Sequence, residues 1–320
     1  MSSFMNMTCP NVTCLHPEQN QIFVGVYSVV FIFGLTLNLT ALVVFFRNSK
    51  SSSHTTVYMI HLAFADILLV CTLPVRIYFH SVLGGLHLTV CKLSGLVMLS
   101  NMYSSIFLLT CISFDRCIAV CFPLSSLVRE GRKKAWCVCL GIWILTIATS
   151  LPIYFTKKTK PGEHNMACFG GFPHYATEKA PLVSTLIMGF GIPLFIMILS
   201  SWGLIQAISK STAVQTSDLI DSARIKRMII TNLTIFLFCF LPYHIMLLIL
   251  HFKKCTCTLL TAYRYSLMVA CLNAMLDPVV YYFTTETFRK KMDVESVRKI
   301  WPMNSHSSDG NARSRAPFTT

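Results

Sequence analysis

Residues 61–80 read HLAFADILLVCTLPVRIYFH, and the charges inside this stretch decide the fold. Asp66 and Arg76 sit in a run, from about Thr56 to Phe79, that is otherwise overwhelmingly apolar. A guanidinium at membrane depth carries an insertion cost of about 2.5–3.5 kcal/mol even on the lenient scale. If the run spans a bilayer, something must face Arg76. Composition says that it does span one. Of 320 residues, 54% are hydrophobic and only 12% charged, against about 25% charged in an average soluble chain. Runs of about 20 apolar residues mark membrane spans, and seven are present, at roughly 22–46, 56–79, 91–122, 136–155, 181–208, 226–251 and 259–283. Each is read as a helix, because a segment in lipid must satisfy its own backbone hydrogen bonds.

Lys and Arg in the short loops set the orientation. With the N-terminus outside, the inner side collects Arg47 and Lys50, then Arg129, Arg132, Lys133 and Lys134, then Lys210, Arg224, Lys226 and Arg227, and a basic tail. The outer loops hold only Lys157, Lys158, Lys160, Lys179, Lys253 and Lys254. The N-terminus is therefore expected outside, with the first span as insertion signal and no cleavable leader. The net charge of +14 is this topological bias plus attraction to anionic inner-leaflet lipid, so nucleic acid is not an expected partner. Asn6 and Asn11 lie in glycosylation sequons of the leader, whereas the sequons at Asn38 and Asn232 fall inside spans.

Of fourteen cysteines, Cys9, Cys14, Cys91, Cys168, Cys255 and Cys257 fall on or at the outer side, where thiols oxidise. No spacing reads as a metal site. Polar residues inside spans are functional candidates by default: Asn38, Asp66, Arg76, Ser105, Asp115 with Arg116, Asn273 and Asp277. Asp115 and Arg116 end the third span, where a carboxylate and a neighbouring guanidinium are expected to hold each other until a cytosolic partner competes. Pro242 and Pro278 each remove a helix hydrogen bond and predict kinks in the sixth and seventh spans.

Seven spans carrying LNLTALVVF, HLAFADILL, SFDRCIAVCFPL, Trp143, Pro193, FCFLPYH and NAMLDPVVYYF in that order resemble the rhodopsin-like G-protein-coupled receptors over about residues 20 to 300. The resemblance implies an all-α membrane protein: a leader over 1–21, a seven-transmembrane helix bundle over 22–283, a short amphipathic cytoplasmic helix over 284–301 and a disordered tail over 302–320. It implies G-protein coupling through Asp115 and Arg116, and a sodium ion among Asp66, Ser105, Asn273 and Asp277 that favours the resting state. A disulfide between Cys91 and Cys168 is expected from the same likeness, with room for a further outer bridge from Cys9 or Cys14 to Cys255 or Cys257. Expected partners are a heterotrimeric G protein, arrestin, receptor kinases acting on tail serines and threonines, and membrane lipids at a plasma-membrane location. No cofactor is expected beyond the ion.

Three departures stand out: Phe240 for the usual tryptophan, Asp277 for the usual asparagine, and Cys117 for the usual tyrosine after Asp-Arg. The first two are the habit of one branch, which holds purinergic nucleotide, lysophosphatidic acid and cysteinyl leukotriene receptors. Ser201 also replaces a common tyrosine.

Arg76 lies about 15 Å outward of Asp66 at the helical rise, so it is expected to line an outer pocket, the alternative being a side chain that snorkels to the headgroups. A guanidinium there grips a phosphate or carboxylate with two parallel hydrogen bonds, and Arg264 and Lys92 deepen the positive field. The stretches TLPVRIYFH, SNMYSSIFLLTCIS and FCFLPYH look most like non-Edg lysophosphatidic acid receptors, which adds Tyr103 and His244 to the ligand-binding set. Leu247 stands three residues after His244, where nucleotide receptors of the branch place a base. The expected agonist is therefore an anionic lipid, lysophosphatidic acid or a related lysophospholipid, with leukotriene-like lipids and nucleotides as the alternatives. A seven-helix pump or transporter is the reading from another class, but no inverted pair of broken spans is present. Nor is there an HExxH, a GxSxG or a nucleophile paired with a base, so no enzyme is expected.

Overall fold

A computed structural model describes residues 17–47, 54–82, 86–122, 124–155, 178–211, 216–253 and 256–284. Asn6, Asn11, Cys9, Cys14, Cys168, Cys255 and the expected amphipathic segment beyond Thr284 lie outside the described residues. Seven helical segments are long and apolar enough to cross a membrane, and the described residues form a helical bundle without strands. The first span is α1 (Pro17–Arg47) and the second α2 (His54–Val82). The third is α3 (Leu88–Cys121). A short helix, α4 (Ser126–Lys133), precedes the fourth span, α5 (Ala135–Phe155). The fifth span runs through α6 (Lys179–Ser184), a π-helical turn (Thr185–Gly191) and α7 (Ile192–Ser211). The sixth is α8 (Thr216–Phe252); the seventh is α9 (Cys257–Cys271) with α10 (Asn273–Thr284).

Local chemistry sets several ends. Helix α1 opens on Pro17, where the missing N–H would have no helical partner in any case. Glu18 in its first turn and Arg47 in its last suit the helix dipole. The Nδ1 atom of His87 accepts from the Thr89 N–H at 3.3 Å to cap α3, and Thr256 Oγ1 accepts from the Leu259 N–H at 3.3 Å to cap α9. In the fifth span the Ile192 N–H bonds the Ile187 carbonyl, five residues back. This widened register immediately precedes Pro193, whose missing N–H already breaks the normal ladder. A side chain on Gly191 would put Cβ 3.1 Å from the Leu186 carbonyl oxygen.

Helix α3 is the axis. Of the residues in its most apolar stretch 78% are buried, against 22% in the fifth span, and it packs on α2, α5, α7 and α8. Ile32, Phe33, Phe46, Ile144, Phe195 and Trp202 face outward, as a lipid-facing belt requires. Because lipid tails are as apolar as leucine, close packing and polar bonds must hold such helices together. Gly34 supplies one close approach: a Cβ there would lie 2.9 Å from Val70 of α2. Pro278 leaves the carbonyl of Ala274 without its usual N–H, and Asn38 Nδ2 donates to that same oxygen at 2.6 Å, joining α1 to α10. Asn232 of α8 donates to the Leu109 carbonyl of α3 at 3.2 Å and to Ser113 Oγ. Trp143 Nε1 donates to His61 Nδ1 at 3.2 Å, joining α5 to α2.

Candidate functional site

Three polar centres lie along the bundle. At the end of the bundle where α1 begins, Arg76 and Arg264 are 4% and 5% exposed, so neither guanidinium faces lipid. Arg76 donates to the Tyr27 hydroxyl. One helical turn beyond it, His80 is stacked on Phe23, with ring centroids 4.6 Å apart and planes 14° apart. Its Nδ1 is 2.9 Å from Asn20 Oδ1. Both arginines act electrostatically on His80, so α1, α2 and α9 meet at one positive locus. Asn20, Tyr27 and His80 were not singled out in the sequence, since nothing in their spacing announces a polar wall from the first span.

The other expected ligand residues form a separate, aromatic group. His244 stacks on Phe190 with centroids 4.3 Å apart and meets Tyr103 and Tyr243 edge-on at 6.0 and 5.1 Å. Its Nδ1 donates to the Phe240 carbonyl at 2.8 Å, which leaves Nε2 buried without a hydrogen-bond partner among the described residues. The π-helical turn presses on this group, because a Cβ on Gly189 would lie 2.8 Å from the Tyr103 ring. Tyr243 meets Tyr263 at 6.0 Å, which sets this aromatic group against α9, the helix that also carries Arg264. Lys92 is half-buried in the first turns of α3 and joins neither group by an ion pair among the described residues.

Asp66, Ser105, Asn273 and Asp277 meet in the middle of the bundle, all at 0% exposure. The two carboxyl groups act directly on one another, and like charges at such a distance cannot both ionise in a dry core without a proton or cation between them. Asn101 Nδ2 donates to Asp66 Oδ1 at 3.3 Å. Asn101 was missed in the sequence, although it stands one turn before Ser105 on the same helix face. Asp66 Oδ2, Ser105 Oγ and Asn273 Oδ1 are buried without hydrogen-bond partners among the described residues. Hard oxygen donors of this kind fit a small cation of the sodium class.

At the opposite end of the bundle the expected mutual hold of Asp115 and Arg116 is corrected. Arg132 of α4 takes Asp115 with two bonds, Nε to Oδ1 at 2.6 Å and Nη2 to Oδ2 at 3.0 Å. Thr55 of α2 donates to the same carboxylate. Successive residues on a helix point about 100° apart and do not face each other, so Arg116 aims elsewhere. Its Nε is buried with no hydrogen-bond partner among the described residues. The Asp115 carboxylate raises the Arg132 guanidinium pKa above its already high value, chiefly through this hydrogen bond. In the sequence Arg132 was only one of several basic loop residues. Ser201, in place of the common tyrosine, turns inward on its own helix and donates to the Met197 carbonyl at 2.7 Å.

Cys91 and Cys257 are each disulfide-bonded, with their partners outside the described residues. No group of three or more metal-ligating His, Cys, Asp or Glu side chains occurs among the described residues.

The sequence profile of the 7 transmembrane receptor (rhodopsin family) matches residues 37–281. Human lysophosphatidic acid receptor 6 is 36% identical over 293 residues, covering 85% of this chain and 84% of the relative. Human lysophosphatidic acid receptor 4 is 32% identical over 287 residues, 85% of this chain and 76% of that one. Human cysteinyl leukotriene receptor 1 is 34% identical over 303 residues, 90% of this chain and 89% of its own length. With the seven spans, the inward polar centres and these matches together, the chain belongs to the rhodopsin family of seven-transmembrane, G-protein-coupled receptors.

Proposed function

We propose that this receptor sits in the plasma membrane with its N-terminus outside and responds to an extracellular anionic lysophospholipid, lysophosphatidic acid or a near relative. The observation that carries the reading is the pair of buried arginines, Arg76 and Arg264, at one locus with His80. Two guanidiniums suit a phosphate that carries up to two charges. The adjoining aromatic group of Tyr103, Phe190, Tyr243 and His244 supplies an apolar continuation for an acyl chain. The names of the relatives support the same ligand class. A leukotriene-like lipid is the second reading, favoured by the broad match to human cysteinyl leukotriene receptor 1; it shares the anionic head and differs in the apolar body.

In this reading the headgroup bridges α2 and α9, and the seventh span passes the change inward across Leu272, where α9 and α10 part. The ion-binding centre at Asp66 and Asp277 lies on the same two spans and opposes the change while a cation holds it. Arg116 is the contact for the G protein, with Asp115 beside it fixing the α3 end through Arg132. Glycosylation at Asn6 and Asn11, the bridge from Cys91 to Cys168, and arrestin, receptor kinases and inner-leaflet lipids as further partners complete the proposal. The test is nucleotide exchange on purified heterotrimeric G proteins with the full chain in lipid nanodiscs. Lysophosphatidic acid, lysophosphatidylserine, cysteinyl leukotrienes and uridine and adenine nucleotides are compared. Stimulation by a lysophospholipid at the lowest concentration, lost in Arg116→Ala, is the expected result. Stimulation by nucleotides alone would overturn the lipid assignment.

A further inference from the structure

The cytoplasmic end of α3 carries a feature that ligand recognition does not use. Cys117 and Cys121 stand four residues apart on one helix face, with their sulfurs 3.8 Å from each other. The Cys121 sulfur is also 3.8 Å from the carbonyl oxygen of Gly203 on α7. Residue 203 has no side chain to intervene, and a Cβ there would already touch Cys117 Sγ at 3.4 Å. Neither thiol is in a disulfide, and both are only partly covered. Two ligating side chains at this spacing on one helix face are an established way to chelate a metal.

We infer that Cys117 and Cys121 form a chelating dithiolate site for a thiophilic divalent cation of the zinc class, with the Gly203 carbonyl oxygen beside it as an oxygen donor. The distance carries the argument. Zinc–sulfur bonds of about 2.3 Å at a tetrahedral angle place the two sulfurs of one zinc about 3.8 Å apart, so the pair meets the metal with little rearrangement. A disulfide would need the sulfurs to close to about 2.05 Å. On binding, each thiol gives up one proton to solvent and the two thiolates cancel the charge of the metal. A neutral complex is tolerable beside Arg116 and against the apolar cluster of Leu204, Ile208, Met228 and Ile229, on which Cys117 packs. Asp115 does not compete as a ligand, because Arg132 and Thr55 occupy its oxygens. No third Cys, His, Asp or Glu completes the group among the described residues, so the metal keeps positions for water and exchanges. It would tie the ends of α3 and α7 together one residue from Arg116. The site is independent of the ligand proposed above.

The test uses the full chain, reduced, in lipid nanodiscs, titrated with zinc chloride against a chromophoric chelator. One zinc per chain is expected to bind more tightly to the wild type than to Cys117→Ser or Cys121→Ser. Each substitution should weaken it by at least about tenfold, since a single thiolate has lost the chelate advantage. The double variant should bind zinc no more tightly than either single one. Equal zinc binding in all four forms overturns the site. Alkylation of the wild type with iodoacetamide, read by peptide mass, needs no variant to fold. Zinc should slow labelling of Cys117 and Cys121 while leaving Cys137, exposed near the start of α5, unaffected. Unchanged labelling of the pair, or equal slowing at Cys137, overturns it as well.

Discussion

Arg76 is where charge and burial coincide. Its guanidinium is buried in the outer third of α2 and donates to Tyr27. If it grips an anionic headgroup, Arg76→Ala removes one side of a desolvated charged contact, at a cost of about 2–5 kcal/mol. Arg76→Lys keeps the charge but loses the planar two-bond fork, so its potency should fall between wild type and alanine. Tyr27→Phe deletes the hydrogen bond and leaves the charge, and should be milder than Arg76→Ala. Dose–response curves at matched surface expression check the order, and an alanine variant of wild-type potency would refute the contact. At the other end of the bundle, the Asp115 side chain is 4% exposed and shared between Arg132 and Thr55. Arg132→Ala strands a buried carboxylate, and breaking such a pair costs about 3–5 kcal/mol. Adding Asp115→Asn removes the stranded charge, so the double variant should melt above Arg132→Ala alone. Thermal unfolding in detergent decides it, and a double variant melting at or below the single one would show that the pair is not the stabilising contact. Sequence adjacency misleads at this spot: Asp115 and Arg116 are neighbours in the chain but diverge in space, whereas the partner of Asp115 lies 17 residues away on α4.

Among the elements, the π-helical turn of the fifth span does what a regular helix would not, bringing Gly189 against the edge of the Tyr103 ring. Gly189→Ala would place a methyl 2.8 Å from a ring carbon, so the ring must move, and with it the packing that joins Tyr103 to His244. Agonist potency should fall in Gly189→Ala. Adding Tyr103→Phe should not restore it, because phenylalanine keeps the clashing ring edge, whereas Tyr103→Leu should relieve the clash. Equal potencies for Gly189→Ala and wild type would mean that the turn yields instead. The spans themselves were legible, since a bilayer demands about 20 apolar residues in a row and the expected limits fall within a few residues of the observed helices. Helices α1 and α8 start well early, at Pro17 and Thr216 and not near 22 and 226, because their first turns project beyond the apolar runs. The π-helical turn, α4 and the break at Leu272 were not legible. A turn of altered register leaves no mark on hydropathy, and α4 is too short and polar to register as a span. At Leu272 itself the sequence carries no helix breaker.

Across the whole molecule, the outer positive locus and the inner carboxyl pair are carried by the same two spans. Arg76 and Asp66 share α2, while Arg264 and Asp277 share the seventh span on either side of Leu272. Of this arrangement the sequence showed which residues are polar within the bilayer, but not that the first span supplies Asn20 and Tyr27 to the outer end, or the third span Asn101 to the inner one. Those contacts depend on helix rotation, which a chain apolar on both its inner and its outer faces does not encode. Two centres on the same pair of elements are expected to be coupled. A cation that holds Asp66 to Asp277 fixes α2 against the seventh span, and any ligand that needs those spans in another relation must oppose it. By linkage the effect is reciprocal. Replacing sodium chloride by choline chloride at equal ionic strength, which keeps screening of the anionic headgroup constant, should therefore raise the affinity of lysophosphatidic acid. A typical coupling of this kind is about 5- to 150-fold. Asp66→Asn should weaken the sodium dependence, and the double variant with Asp277→Asn should abolish it, because two neutral amides leave no buried carboxylate for a cation to neutralise. Arg76→Ala should weaken agonist binding in both salts by the same factor and leave the ratio intact, since it removes the headgroup contact and not the coupling. Competition binding on membranes separates these outcomes. A sodium effect undiminished in Asp66→Asn would place the cation elsewhere, and a ratio that collapses in Arg76→Ala would mean that sodium acts at the outer locus itself.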